Sequence, residues 1–341
     1  WGKTRDVKVA LDFGLWKDRI NGIVEAYWRK SKDCVTSEYV PVTTGFFNQS
    51  YNTSVLQNNG VEFSLSVAVL KSKDYNLSVS ANVAWNQNKL KKYNSPNTSL
   101  ALDKYVGYPM GAVFSGKYEG IDPETGMYKF KLRPDAVTNK DGYLREPNNY
   151  YYYLGTSVAP FTGGFNLNFS YKNIGLSVGG SYSVKAKMVD NIESPAGYEL
   201  LSGSKLESIP TPHNDLYRNH LNVKREVRNR WTPENRTGVK YPRLIDAYGK
   251  KLGLDLTNPT LTTITRGALL EDISYLRINT IALSYSLPQR VLERINFSSA
   301  ALNLTLNNFF TITKYSGIDP EVPGATYPVS RSVTIGLNVG F

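Results

Sequence analysis

With one cysteine among 341 residues, the chain can form no internal disulfide and no cysteine-based metal site. It has no run of about 18 apolar residues, which excludes transmembrane helices. The net charge of +11 suggests nucleic acid at first sight. However, the basic residues concentrate between Lys205 and Lys251, interleaved with Glu207, Glu226 and Glu234 and without any recognition-helix or RNA-binding signature, so nucleic acid is excluded as a partner.

Taken in order, the chain alternates. Val7, Val9, Leu11, Phe13 and Leu15 form one apolar stripe, with polar or small residues between them. Successive side chains on a strand point to opposite faces, so such a segment is a ribbon with one apolar face. The pattern predicts nine strands, at about 5–16, 19–32, 57–70, 75–90, 160–171, 174–188, 269–287, 299–311 and 328–341. In 269–287 the apolar phase moves from Leu276 and Ile278 to Ile281, Leu283 and Tyr285, which predicts a bulge near Asn279 and Thr280. Several segments reach the roughly 9–11 residues that a tilted strand needs to cross a bilayer.

The connections sort by parity. Trp16 to Arg19, Lys71 to Asp74 and Lys172-Asn173 are tight turns, and 288–298 is a modest connector. Between them lie long links at about 33–56, 91–159, 189–268 and 312–327. A meander puts alternate connections on opposite sides, so short links fall on one side and long ones on the other, as in outer-membrane barrels. A soluble sandwich has no reason to sort its loops this way. Nine is an odd number, and lipid tolerates no unpaired sheet edge. The chain therefore reads as the C-terminal part of a longer barrel, cut inside an external loop.

Certain stretches resemble a known family. They include Asn59-Gly60-Val61-Glu62-Phe63-Ser64, Gly120-Ile121-Asp122-Pro123-Glu124-Thr125-Gly126 and Arg230-Trp231-Thr232-Pro233-Glu234-Asn235, the last followed by Tyr241-Pro242-Arg243-Leu244. Ser274-Tyr275-Leu276-Arg277-Ile278-Asn279, Asn308-Phe309-Phe310-Thr311-Ile312 and the closing Gly336-Leu337-Asn338-Val339-Gly340-Phe341 continue the series. In order and spacing the chain resembles the SusC/RagA-type TonB-dependent transporters. The resemblance implies an all-β fold, here the last nine strands of a 22-stranded antiparallel transmembrane barrel, without the plug domain. It implies active import of oligosaccharides or peptides across a bacterial outer membrane, with lipid and lipopolysaccharide around the wall. It also implies a SusD-like lipoprotein over the mouth and a TonB complex acting through the missing N-terminal part. No cofactor and no catalysis are implied.

The search for other chemistry is negative. His213 and His220 lie six residues apart in one charged loop, without metal-ligand spacing. Asp122-Glu124 and Asp319-Glu321 recur in the same Gly-Ile-Asp-Pro-Glu context and read as turn openers. Three features carry a functional reading. Tyr150, Tyr151, Tyr152 and Tyr153 are either an interfacial girdle or rings that stack on cargo. Arg230, Trp231, Tyr241 and Arg243 suit a partner contact, since Trp, Tyr and Arg dominate interface energetics. Phe341 closes the last apolar stripe and, on the family reading, is the signal for barrel assembly. The competing reading is a secreted, soluble all-β carbohydrate-binding or adhesin module, which requires the apolar faces to pack on a second sheet.

Overall fold

The computed structural model describes residues 1–93, 105–124, 126, 128–136, 149–189, 228–240, 266–294, 296–323 and 327–341. Nine antiparallel strands form one sheet in chain order: β1 (Lys3–Leu15), β2 (Ile20–Tyr39), β3 (Asn48–Lys71), β4 (Tyr75–Lys92), β5 (Phe161–Tyr171), β6 (Ile174–Val184), β7 (Tyr275–Ser286), β8 (Ser299–Thr313) and β9 (Ser332–Gly340). The tight turns between β1 and β2, β3 and β4, and β5 and β6 lie on one side. The connector between β7 and β8, with its short helix Gln289–Arg294, lies there too. All the long links leave from the other side. The bulge is where the phase shift places it: register slips between Ile278 and Thr280 against both neighbouring strands, leaving Asn279 unpaired.

The pairing carries one apolar face across all nine strands. Leu11 pairs with Val24, Val24 with Phe63, and Phe63 with Val83. The stripe continues from Leu167 to Val178 and Ile281, then from Leu306 to Val333. This face is not a core. Leu11 is 64% exposed, Ile335 73% and Leu337 66%, so nothing among the described residues covers it. Aromatic residues stand near both of its ends, in addition to Phe63 and Phe165 within it. Tyr75, Tyr171 and Tyr285 lie near the turn side, linked in register through Ile174, and Trp85 pairs with Phe161 near the other end. Phe161 to Tyr171 spans the 11 residues of β5. At about 3.3 Å per residue this is about 33 Å of strand, which at a tilt of about 40° covers the roughly 25 Å height of an outer-membrane apolar band.

Three boundaries differ from the sequence expectation. The link 33–56 shrinks to 40–47, because β2 and β3 continue as a paired hairpin to Tyr39 and Asn48. Beyond the apolar stripe the residues of both strands are mostly polar at successive positions, so the alternation that marks the strands below no longer applies, and the register slips at Cys34 and Val55. The segments 174–188 and 269–287 each divide. β6 stops at Val184, before Lys185 at φ 69°, and Lys187–Val189 pairs separately with Leu270–Asp272. Two more small sheets, Ala112–Gly116 with Tyr151–Thr156 and Tyr118–Ile121 with Tyr128–Phe130, lie within the long link 91–159. The buried cluster of Ala186, Ile273 and Tyr315, flanked by Ala159 and Met188, also lies at this long-link end.

Candidate functional site

Two regions stand apart from the apolar face: the polar face of the sheet and the layer of long links above it. Because apolar side chains occupy one face, the alternate positions of every strand form the other. From β4 to β9 these are mostly Asn, Ser, Thr and Gly. They bond to one another across strands: Asn88 donates to Asn58 Oδ1 at 2.7 Å, Ser177 to Asn168 Oδ1 at 2.8 Å and Thr280 to Asn307 Oδ1 at 3.1 Å. Charges on this face gather on β1–β3, where Lys8 pairs with Glu25 and Arg29 with Asp6. Glu62 stands directly opposite Glu25 in register. The result is a hydrated wall with one charged sector and one neutral sector. It can line a polar conduit. Among the described residues no cluster of three or more His, Cys, Asp or Glu could hold a metal ion, and His213 and His220 lie outside them.

The Tyr150–Tyr153 run lies off the main sheet. Tyr151–Tyr153 begin the strand that pairs with Ala112–Gly116, so their side chains alternate between its faces. Tyr153 packs against Tyr108 at 4.8 Å between ring centres and Phe114 at 5.7 Å, and Tyr105 meets Phe114 edge-on at 5.1 Å. Tyr152 faces the other way and donates its hydroxyl to the Leu132 carbonyl at 2.9 Å. Burial raises the phenol pKa of Tyr150 and Tyr153. The run is therefore part of an aromatic platform at the long-link end, with Tyr153 still 41% exposed.

Arg230 and Trp231 are held within the loop layer. The Trp231 indole N–H donates to the Pro123 carbonyl at 3.0 Å, tying 228–240 to the first Gly-Ile-Asp-Pro-Glu turn. Asn235 and Thr232 exchange backbone bonds at 3.0 and 3.1 Å and close a compact turn. Tyr241 and Arg243 lie outside the described residues. Phe341 is 91% exposed on the apolar face and packs edge-on against Phe297 at 5.1 Å.

Sequence reading did not single out Arg277 for a role. It follows Leu276 and precedes Ile278 on β7, so its side chain takes the polar face, at the strand's long-link end. It is 2% exposed and bonds Asp319 and Glu321 of the second Gly-Ile-Asp-Pro-Glu turn. Asp319 also accepts the backbone N–H groups of Glu321 and Val329, each at 3.0 Å. Burial pushes the Asp319 carboxyl up. The two backbone N–H groups and the Arg277 guanidinium outweigh that, and it titrates below the ordinary carboxylate value. The available sequence signal was an arginine at an inward position of a strand beside a repeated Asp-Pro-Glu.

No protein-family model matches the chain. Over its whole length it is 24% identical to TonB-dependent receptor P26 of Formosa agariphila and 25% identical to TonB-dependent receptor SusC of Bacteroides thetaiotaomicron, covering 35% and 32% of those proteins. Among solved structures, the RagAB peptide transporter superposes on all of this chain with a TM-score of 0.74 at 26% identity, over 36% of its own length. The chain thus spans about a third of the relatives it matches. The resemblance read from the sequence holds from one end to the other, and the nine-stranded sheet corresponds to part of a TonB-dependent transporter barrel.

Proposed function

We propose that this chain, barrel wall of the SusC/RagA TonB-dependent transporter type, serves active import of oligosaccharides or peptides across a bacterial outer membrane. The observation that carries the reading is the pairing of two features. One is a sheet face of exposed apolar residues with aromatic residues near both ends. The other is similarity over the whole chain to TonB-dependent receptors. A face that apolar and that open needs a cover, which lipid supplies to a barrel wall, and the polar opposite face suits a conduit. The chain supplies wall and external loops, as one domain with its long links outside. The energy-coupling parts belong to the remainder of such a transporter, and no catalytic step is assigned.

Within that reading, the platform around Tyr153 contacts cargo at the mouth, and the 228–240 loop, with Tyr241 and Arg243 beyond it, offers a surface to a SusD-like lipoprotein. Trp231 supports this by fixing its loop before any partner arrives, which lowers the ordering cost of binding. Phe341 serves as the barrel-assembly signal.

The test is uptake of labelled oligosaccharides and peptides by cells carrying the full-length protein, with and without TonB. Uptake of one class that requires both the protein and TonB is expected. Replacing Tyr150–Tyr153 with Ser should weaken cargo affinity about tenfold, or about 1.4 kcal/mol, without loss of folded barrel. Uptake that persists without TonB would contradict the active-import reading, and unchanged affinity would remove the Tyr run from it.

A further inference from the structure

The two Gly-Ile-Asp-Pro-Glu stretches fold alike. In the first, Asp122 Oδ1 accepts the Glu124 N–H at 2.9 Å, and in the second Asp319 Oδ1 accepts the Glu321 N–H at 3.0 Å. Each turn also meets a distant part of the chain. The first takes the Trp231 indole on its Pro123 carbonyl. The second takes the Arg277 guanidinium, 2% exposed, on Asp319, itself 6% exposed. In a chain whose sheet is exposed on both faces, this is a charged pair almost wholly withdrawn from water.

The direction of the second contact is informative. Arg277 points to the polar face of the wall, so the link between β8 and β9 must fold back over that face to deliver Asp319 and Glu321. Further bonds follow the same path. Thr313 Oγ1 donates to the Ser274 carbonyl at 2.8 Å, and Glu271 accepts both the Ser316 N–H at 3.0 Å and its hydroxyl at 2.6 Å. Tyr315 closes over Ala186 and Ile273. Val329, at the far end of the link, donates to Asp319, so one carboxylate gathers both limbs of the loop and the wall.

We propose that the described part of the link between β8 and β9, residues 314–323 and 327–331, is a fixed strap, locked across the inner side of the wall at its long-link end by Arg277, and not a loop that opens. An ion pair removed from water is costly to break on one side only, because the partner charge is left buried. Desolvation and the fork geometry of Arg therefore favour a single closed arrangement. On the import reading, the strap permanently narrows the entrance beside β7, and any opening movement belongs to other elements. That consequence rests on the proposed function, whereas the fastening itself does not.

The experiment uses the full-length protein in the outer membrane of intact cells, in a Cys34→Ser background, with a membrane-impermeant maleimide. Ala186→Cys places a thiol under Tyr315, at a position 3% exposed. Phe46→Cys, at a position 68% exposed on the tip between β2 and β3, reports which side faces out. With the strap intact, Cys at 186 should resist labelling. Asp319→Asn should raise its labelling rate by about tenfold or more as local opening becomes easier, while heat-modifiable migration stays that of a folded barrel. If Asp319→Asn blocks assembly, Arg277→Lys, which keeps the charge and loses the fork, supplies the same comparison with a smaller rise. Continued protection in a folded variant of either kind overturns the strap. If Cys at 46 is unlabelled on intact cells, the outward orientation and the import reading fail. The same rates, measured on opened membranes, still decide the strap.

Discussion

Asp319 is the residue with the most at stake in its charge. Its folded carboxyl titrates below the unfolded value near pH 4. The stability it contributes is therefore complete above about pH 4 and is lost as pH falls through the folded value. Truncating one side of so buried a pair costs on the order of 3–5 kcal/mol. We expect the difference in unfolding free energy between the wild-type full-length protein and Asp319→Asn to be constant from neutral pH to about 5 and to shrink in stronger acid. Arg277 pairs with this carboxyl, and its guanidinium also bonds Glu321 and lies over the Tyr275 ring. A difference independent of pH down to 2 would mean that the charge contributes nothing. The sequence presented the repeated Asp-Pro-Glu as a turn, and the Asx geometry at Asp122 and Asp319 agrees with that. It could not show which copy meets Arg277, because the pairing spans a separation of 42 residues and depends on how a link folds back. The Tyr150–Tyr153 run was visible, but its neighbours were not, since the contacts of Tyr153 with Tyr108 and Phe114 arise from a small sheet with little periodicity.

At the scale of the strand, legibility follows the solvent. Where one face meets an apolar medium and the other water, alternation is enforced, and β1, β4, β5 and β9 could be placed within a few residues. A one-residue slip would turn every apolar side chain inward, so register is strongly specified. Where β2 and β3 rise beyond that region, residues such as Ser37, Glu38, Gln49, Ser50 and Asn52 leave no stripe, and the sequence suggested a loop. A second device stabilises the strands at their glycines. Phe165 lies over its cross-strand partner Gly180, as Phe13 lies over Gly22, occupying the space a Cβ would need. A ring laid over glycine fixes register and covers exposed backbone. Gly22→Val should displace the Phe13 ring and destabilise the full-length barrel by about 1–3 kcal/mol, measured by urea unfolding in lipid vesicles. The double variant Gly22→Val with Phe13→Ala should recover part of the loss. Additive losses would show that ring and glycine act independently.

At the scale of the molecule, the chain inverts the usual arrangement of a folded domain. Among the described residues the buried cluster lies among the loops at one end, while the main sheet has one exposed apolar face and one polar face. Such a sheet cannot be stable alone in water, and its distinction from a soluble sandwich rests on what covers the apolar face. The most direct measurement is fluorescence quenching by brominated lipids. It uses the full-length protein in vesicles, with the native Trp residues replaced by Phe and a single Trp introduced at Leu167 or at Asn166. These adjacent residues lie near the middle of β5 and point to opposite faces. The membrane-wall account expects Trp at 167 to be quenched most strongly by bromines near the bilayer centre, and Trp at 166 to be unaffected. Equal quenching at both positions, or quenching at neither, would contradict it.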